Sequence, residues 1–142
     1  MIPLDISVPE TGKLTQLADD LYWARFDLPF RLNHINLYML DTPDGWCLID
    51  AGVNNEVTAA HWQMLLEGPL SGQPVAFILI THHHVDHMGY AGALESLTGA
   101  PCFSSAEEAV HGHWLFDLTP EEFGAILSRT YRWYGMPAET IQ

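Results

Sequence analysis

Four histidines and an aspartate fall within six positions, as His82-His83-His84-Val85-Asp86-His87 directly after Thr81. Neutral imidazole and carboxylate are donors that suit zinc and other first-row metals. A purification tag or a metal-scavenging tract would sit at a terminus or lack the interleaved Val85 and Asp86. This run lies mid-chain and follows an apolar segment. Its chemistry points to a metal centre, and to a catalytic one.

The elements that must position these residues can be read outward from the run. Val75-Ala76-Phe77-Ile78-Leu79-Ile80 is uninterrupted and apolar, which predicts a buried strand over 75–81. The histidines then stand at a strand's carboxyl end, where α/β sheets place their ligand-binding loops. Upstream, apolar runs at 35–40 and 46–50 flank Asp41-Thr42-Pro43-Asp44-Gly45. Proline presets φ and glycine tolerates positive φ, so the pair predicts a β-hairpin. An aromatic-rich stretch at 21–26 predicts a further strand.

Helices fill the intervals. Asn54 or Asn55 can cap a helix with Val57, Ala60, Met64 and Leu65 on its apolar face and His61 as a structural residue there; Gly68-Pro69 ends it. A second helix is expected over 88–97, its Gly89, Ala91, Gly92 and Ala93 allowing close approach to the sheet and Gly99 stopping it. A short strand over 101–104 leads to a helix opened by a Ser105–Glu108 capping box. Thr119-Pro120-Glu121-Glu122 opens another, whose stripe of Phe123, Ile126, Leu127, Tyr131 and Tyr134 reads as core and which Gly135-Met136-Pro137 terminates. Strands followed by β-α-β-α-β-α give a layered α/β fold.

Composition narrows the function. The 142 residues suffice for one domain with a real core. One lysine and four arginines against a net charge of −13 leave nothing for a basic patch, which excludes nucleic acid and disfavours anionic membranes. No apolar run approaches the roughly 18 residues of a membrane span. Met1-Ile2-Pro3-Leu4-Asp5 lacks the basic start and apolar core of a signal peptide, so the expected compartment is the cytoplasm. Cys47 and Cys102 have no CxxC spacing and read as two buried, reduced thiols.

The motif H-x-H-x-D-H, present as His82, His84, Asp86 and His87, resembles that of the metallo-β-lactamase-fold superfamily of hydrolases. The preceding apolar strand, the following Met88-Gly89 and the upstream Leu48-Ile49-Asp50-Ala51-Gly52 support the likeness over residues 14–110. The resemblance implies an αββα sandwich, a mixed sheet with flanking helices, with metals at the sheet edge. It implies that His82 and His84 hold a first metal, and Asp86 and His87 a second. Asp50 would orient the site from outside the ligand shell. Asp86 would also be the catalytic residue, orienting the attacking water and accepting its proton. Two zinc ions per complete site are the implied cofactor, with iron or manganese as alternatives. Zinc would lower the pKa of bound water to about 7 and polarise a substrate carbonyl. His83 is the variable position of the motif, a loop residue facing solvent or a neighbour. His111 and His113 match no ligand of the family.

The pattern also breaks. The family draws a third histidine for the first metal, a bridging aspartate and a final histidine from its second half. Here no histidine follows His113 and no aspartate follows Asp117. Two protein ligands per metal is one short of the three that catalytic zinc keeps. The 142 residues are therefore expected to be a single truncated domain, the N-terminal half of the sandwich, with an apolar sheet face left uncovered. The missing C-terminal half, or a second copy in a homodimer, would cover that face. A small-molecule ester, thioester or lactone is the expected substrate, glyoxalase II-like thioesterases being the nearest analogy. A mononuclear iron oxygenase of the persulfide type and a non-catalytic, weakly metal-binding domain are the competing functions. Alone, the chain is expected to turn over little or nothing.

Overall fold

The computed structural model describes residues 6–140; the N-terminal reading above, which rests on residues 1–5, lies outside them. Six strands form one sheet in chain order: β1 (Thr15–Gln16), β2 (Leu21–Asp27), β3 (His34–Thr42), β4 (Gly45–Ile49), β5 (Val75–Leu79) and β6 (Cys102–Phe103). The first four pair antiparallel, and β4–β5 and β5–β6 pair parallel. The parallel pairs require crossovers. Helix α1 (Glu56–Glu67) makes the first; α2 (Val85–Met88) and α3 (Ala91–Thr98) make the second. Helices α4 (Ala106–Phe116) and α5 (Pro120–Trp133) follow β6. No helix among the described residues is long and apolar enough to cross a membrane.

The hairpin forms as predicted, with Thr42 paired to Gly45 around Pro43-Asp44. Gly45 has φ +123°, and a Cβ there would run into the carbonyl oxygen of Pro74. Only glycine meets both demands. The sheet buries one face. Tyr22, Met39, Leu48, Ile78 and Cys102 stand in register across five strands. Against that side pack Trp62 and Leu65 of α1 and Leu94 of α3. Trp62 is fully buried and its Nε1–H donates to the carbonyl of Ala51 at 2.7 Å. The next row, Trp23, Tyr38, Ile49, Leu79 and Phe103, points to the opposite face, where Trp23, Tyr38 and Ile49 are half-buried. Leu79 and Phe103 are exposed on it.

Three helical expectations need correction. Asn55 caps α1, accepting from Thr58 N at 2.8 Å. The buried stripe, however, is Thr58, His61, Trp62 and Leu65, while Val57, Ala60 and Met64 face outward. The bulk of Trp62 sets the phase, because the ring fills the space between α1 and the sheet beside Phe26. The helix expected over 88–97 is instead two. The motif itself turns helical at Val85, and Gly89-Tyr90 separates α2 from α3, which ends at Gly99 with φ +71°. Finally, the α5 stripe is not core: no α5 residue is buried, and Tyr134 just after it is 83% exposed. Its capping box forms as read, with Thr119 and Glu122 bonded reciprocally. Helical spacing shows that a face is apolar, not that anything lies against it.

His61 is structural, as expected, and only 4% exposed. Its ring stands edge-on to Phe26 at 4.7 Å, and its Nδ1 has no hydrogen-bond partner. Burial pulls its pKa down, partly opposed by the Asp27 carboxylate. A histidine lowered by folding contributes stability that is present above the unfolded value of about 6.5 and lost as pH falls below it. Denaturant unfolding is expected to give a larger stability loss between pH 7.5 and 5.5 for the parent chain than for His61→Leu. Equal losses in the two chains would rule out this role.

Candidate metal centre

The first side chain to be positioned is Asp50, where β4 ends. Its φ of +65° is the left-handed region that aspartate and asparagine visit more readily than other non-glycine residues. That turn drives the carboxylate inward, to 5% exposure. There it accepts from Thr81 N at 2.8 Å, Thr81 Oγ1 at 2.9 Å and His87 Nδ1 at 2.8 Å. Backbone bonds lock the same turn to the motif: Asp50 N to Leu79 O, Ala51 N to His87 O and Tyr90 N to Gly52 O. Burial alone would raise the Asp50 pKa, but the bonds from His87 and Thr81 outweigh it and hold the carboxyl below its usual range. His87 shows the converse. Burial pulls it down, yet the bond and charge of Asp50 raise it above the ordinary histidine value.

Asp50 thus fixes one ring of the motif. With the Nδ1–H of His87 given to Asp50, Nε2 keeps its lone pair and lies 3.7 Å from the Asp86 carboxylate. The His82 ring lies 3.9 Å from that of His87 and 4.6 Å from that of His84, centroid to centroid. His82 Nδ1 is 3.0 Å from Thr81 Oγ1. Burial, then the neighbouring His87 and His84, lower the His82 pKa, which favours the neutral ligand form. Three imidazoles and a carboxylate at one strand end are a donor set that fits zinc. Asp50 supplies the carboxylate–histidine support such ligands use. The four motif residues are adjacent without a closed cage, since no three of them bring ligand atoms within 4.8 Å of one another.

His83 turns the other way. Its backbone N and its Nδ1 both donate to Glu108 Oε2 on α4, at 2.8 and 2.6 Å. This corrects the Ser105–Glu108 capping box, of which only half exists. Ser105 Oγ accepts from Glu108 N at 3.2 Å, but the Glu108 carboxylate has gone to His83 rather than back to Ser105. His111 joins them, its ring 5.5 Å from that of His83, while His113 remains apart and exposed. From sequence, Thr81 reads as a strand end, Glu108 as a helix cap and His111 as matching no ligand of the family. The i, i+3 spacing of Glu108 and His111 was the available signal.

Beside His84 and Asp86 opens a groove of about 600 Å³, walled by Leu115, Phe116, Leu118, Pro120 and Phe123. Phe123, read from sequence as core, is 41% exposed and forms part of this wall. The two thiols are free; Cys47 is buried and Cys102 half-buried, and burial raises both pKa values.

Known proteins bear on this geometry. Residues 31–140 match the family model described as the metallo-beta-lactamase superfamily. A beta-lactamase domain protein from Burkholderia ambifaria superposes with a TM-score of 0.72 at 32% identity, over 80% of this chain and 38% of its own. A metallo-beta-lactamase family protein from Thermus thermophilus gives 0.68 at 30% identity, over 86% of this chain and 40% of its own. The metallo-beta-lactamase FIM-1 from Pseudomonas aeruginosa, solved in a mono-zinc form, shares the fold at 19% identity and a TM-score of 0.57, over 72% of this chain and 45% of its own. The chain thus spans less than half the length of each of these three. A partial sandwich with a mixed sheet, carrying H-x-H-x-D-H at the end of β5, the chain belongs to the metallo-beta-lactamase superfamily.

Proposed function

We propose that this chain carries the His82–His84–Asp86–His87 half of a metallo-hydrolase centre acting on an ester, thioester or lactone. The observation that supports it most is the Asp50–His87 bond, which leaves Nε2 of His87 free as a donor beside His82 and His84. Zinc held there would acidify water and polarise a substrate carbonyl. Asp86 would be both a metal donor and the group that takes a proton from the attacking water. Asp50 and Thr81 set the ring of His87 and the loop that bears His82. The apolar groove next to Asp86 favours a substrate with a hydrophobic acyl or thiol portion. Full coordination would need donors beyond these four, so the rate from residues 1–142 is expected to be low.

The test combines zinc titration with hydrolysis of a thioester by the metal-free chain. Loss of the motif-bound zinc in the double variant His82→Ala/His84→Ala, with turnover following occupancy of the motif, is the expected result. Unchanged zinc affinity in the double variant would sink the reading. One iron per chain with oxygen consumption would favour an oxygenase. Zinc bound at the motif without turnover of any ester, thioester or lactone would leave a non-catalytic metal-binding domain.

A further inference from the structure

We propose that His83, Glu108 and His111 form a second site for a divalent first-row cation such as zinc, separate from the His82–His87 donors. In extended backbone, successive side chains point to opposite sides. The 81–84 segment has no helical turn, and His84 at its end is extended, at φ −60° and ψ 146°. His83 is thereby turned toward α4, out of phase with its neighbours in the motif. On α4, Glu108 and His111 are three residues apart and so share one face. Glu-x-x-His on a helix is a recurrent way to present a carboxylate and an imidazole to one metal.

Three observations converge on this cluster. One ligand atom from each residue lies within 4.8 Å of the others, and the set is alone in doing so among the described residues. A tetrahedral zinc with bonds near 2.0–2.1 Å separates its ligand atoms by about 3.3 Å, so rotamer adjustment closes the difference. The Glu108 carboxylate has left its capping role and both its contacts run to His83, which also hold its pKa below the usual carboxylate range. Gly112 lies between the two α4 residues and the loop: a Cβ there would be in ordinary contact with His83 Cβ, at 3.6 Å, and would displace the Met88 side-chain end. Two imidazoles and a carboxylate are the three-ligand set of zinc sites that keep an open position. For Nδ1 of His83 to hold the cation, its proton would have to leave that nitrogen. The cation would tie α4 to the loop that carries the motif.

Zinc titration against a chromophoric chelator tests the proposal in the full chain. His111→Ala is expected to bind one zinc fewer per chain than the parent, or to weaken one zinc at least tenfold, and Glu108→Gln to do the same. His111 is exposed and makes no bond to the motif loop, so its removal leaves that loop in place. The double variant His82→Ala/His84→Ala is expected to retain one zinc that the added His111→Ala removes. Identical stoichiometry and affinity in the parent and His111→Ala would overturn the site and leave His83–Glu108 as a plain hydrogen-bonded pair. Failure of the motif reading is separate, because it would appear as unchanged binding in the double variant alone.

Discussion

Asp50→Ala is expected to lower stability by about 3–5 kcal/mol, the cost of leaving buried partners of a charge unpaired, and to weaken zinc at the motif by about 10–100-fold. Three donors converge on this one carboxylate, from Thr81 N, Thr81 Oγ1 and His87 Nδ1. Alanine leaves them without an acceptor and also occupies a left-handed position that it tolerates poorly. Asp50→Asn separates the two effects, because asparagine accepts the backbone geometry but not the charge. Denaturant unfolding in chelator measures the stability. A loss below about 1 kcal/mol for alanine would contradict the account.

The same pair fixes a pH window for the metal-free chain. Asp50, lowered by folding, contributes stability that is present above the unfolded value of about 3.9 and lost as pH falls through its folded value. His87, raised by folding, contributes stability that is complete below about 6.5 and lost as pH rises through its folded value. The pair is therefore strongest between those limits, and Asp50→Asn should flatten the profile at both ends.

His84→Ala should behave in the opposite manner: zinc affinity falls by at least about 100-fold, more than loss of an outer supporting residue costs, while unfolding stays within about 0.5 kcal/mol of the parent. His84 is exposed and caps α2 without a side-chain hydrogen bond. Its ring neighbours those of His82 and His83 and borders the open groove. A side chain that supports no packing has little other work than to face a ligand. Chelator competition and denaturant unfolding on the same preparation decide it. A stability loss as large as that of Asp50→Ala would mark His84 as structural.

The parts of the fold that were legible in the sequence are those whose signals are local. Pro43-Asp44-Gly45 named the hairpin because its dihedral demands are met by adjacent residues. Thr119 through Glu122 named the start of α5 in the same way. The histidine run identified the strand end that bears it. What escaped depends on contacts between distant segments. The phase of α1 is set by where Trp62 meets Phe26, and Met64 and Val57 are as apolar as the residues that won. Glu108 carried a correct local signal for a cap, yet a histidine 25 positions away took its carboxylate. Helix α5 has an apolar stripe that is nowhere more than half-buried.

The row Trp23, Tyr38, Ile49, Leu79 and Phe103 has a thermodynamic consequence for the motif. Ile49 adjoins Asp50, and Leu79 stands two residues before Thr81. A cover on this face would bear on the strand ends from which the motif residues hang. Occupancy of the face and occupancy of the metal then share one coupling free energy, and the coupling is reciprocal. If a cover tightens zinc by some factor, zinc tightens the cover by the same factor, and either titration measures it. A partner on this face would then be sensed at the metal, and the metal at the partner.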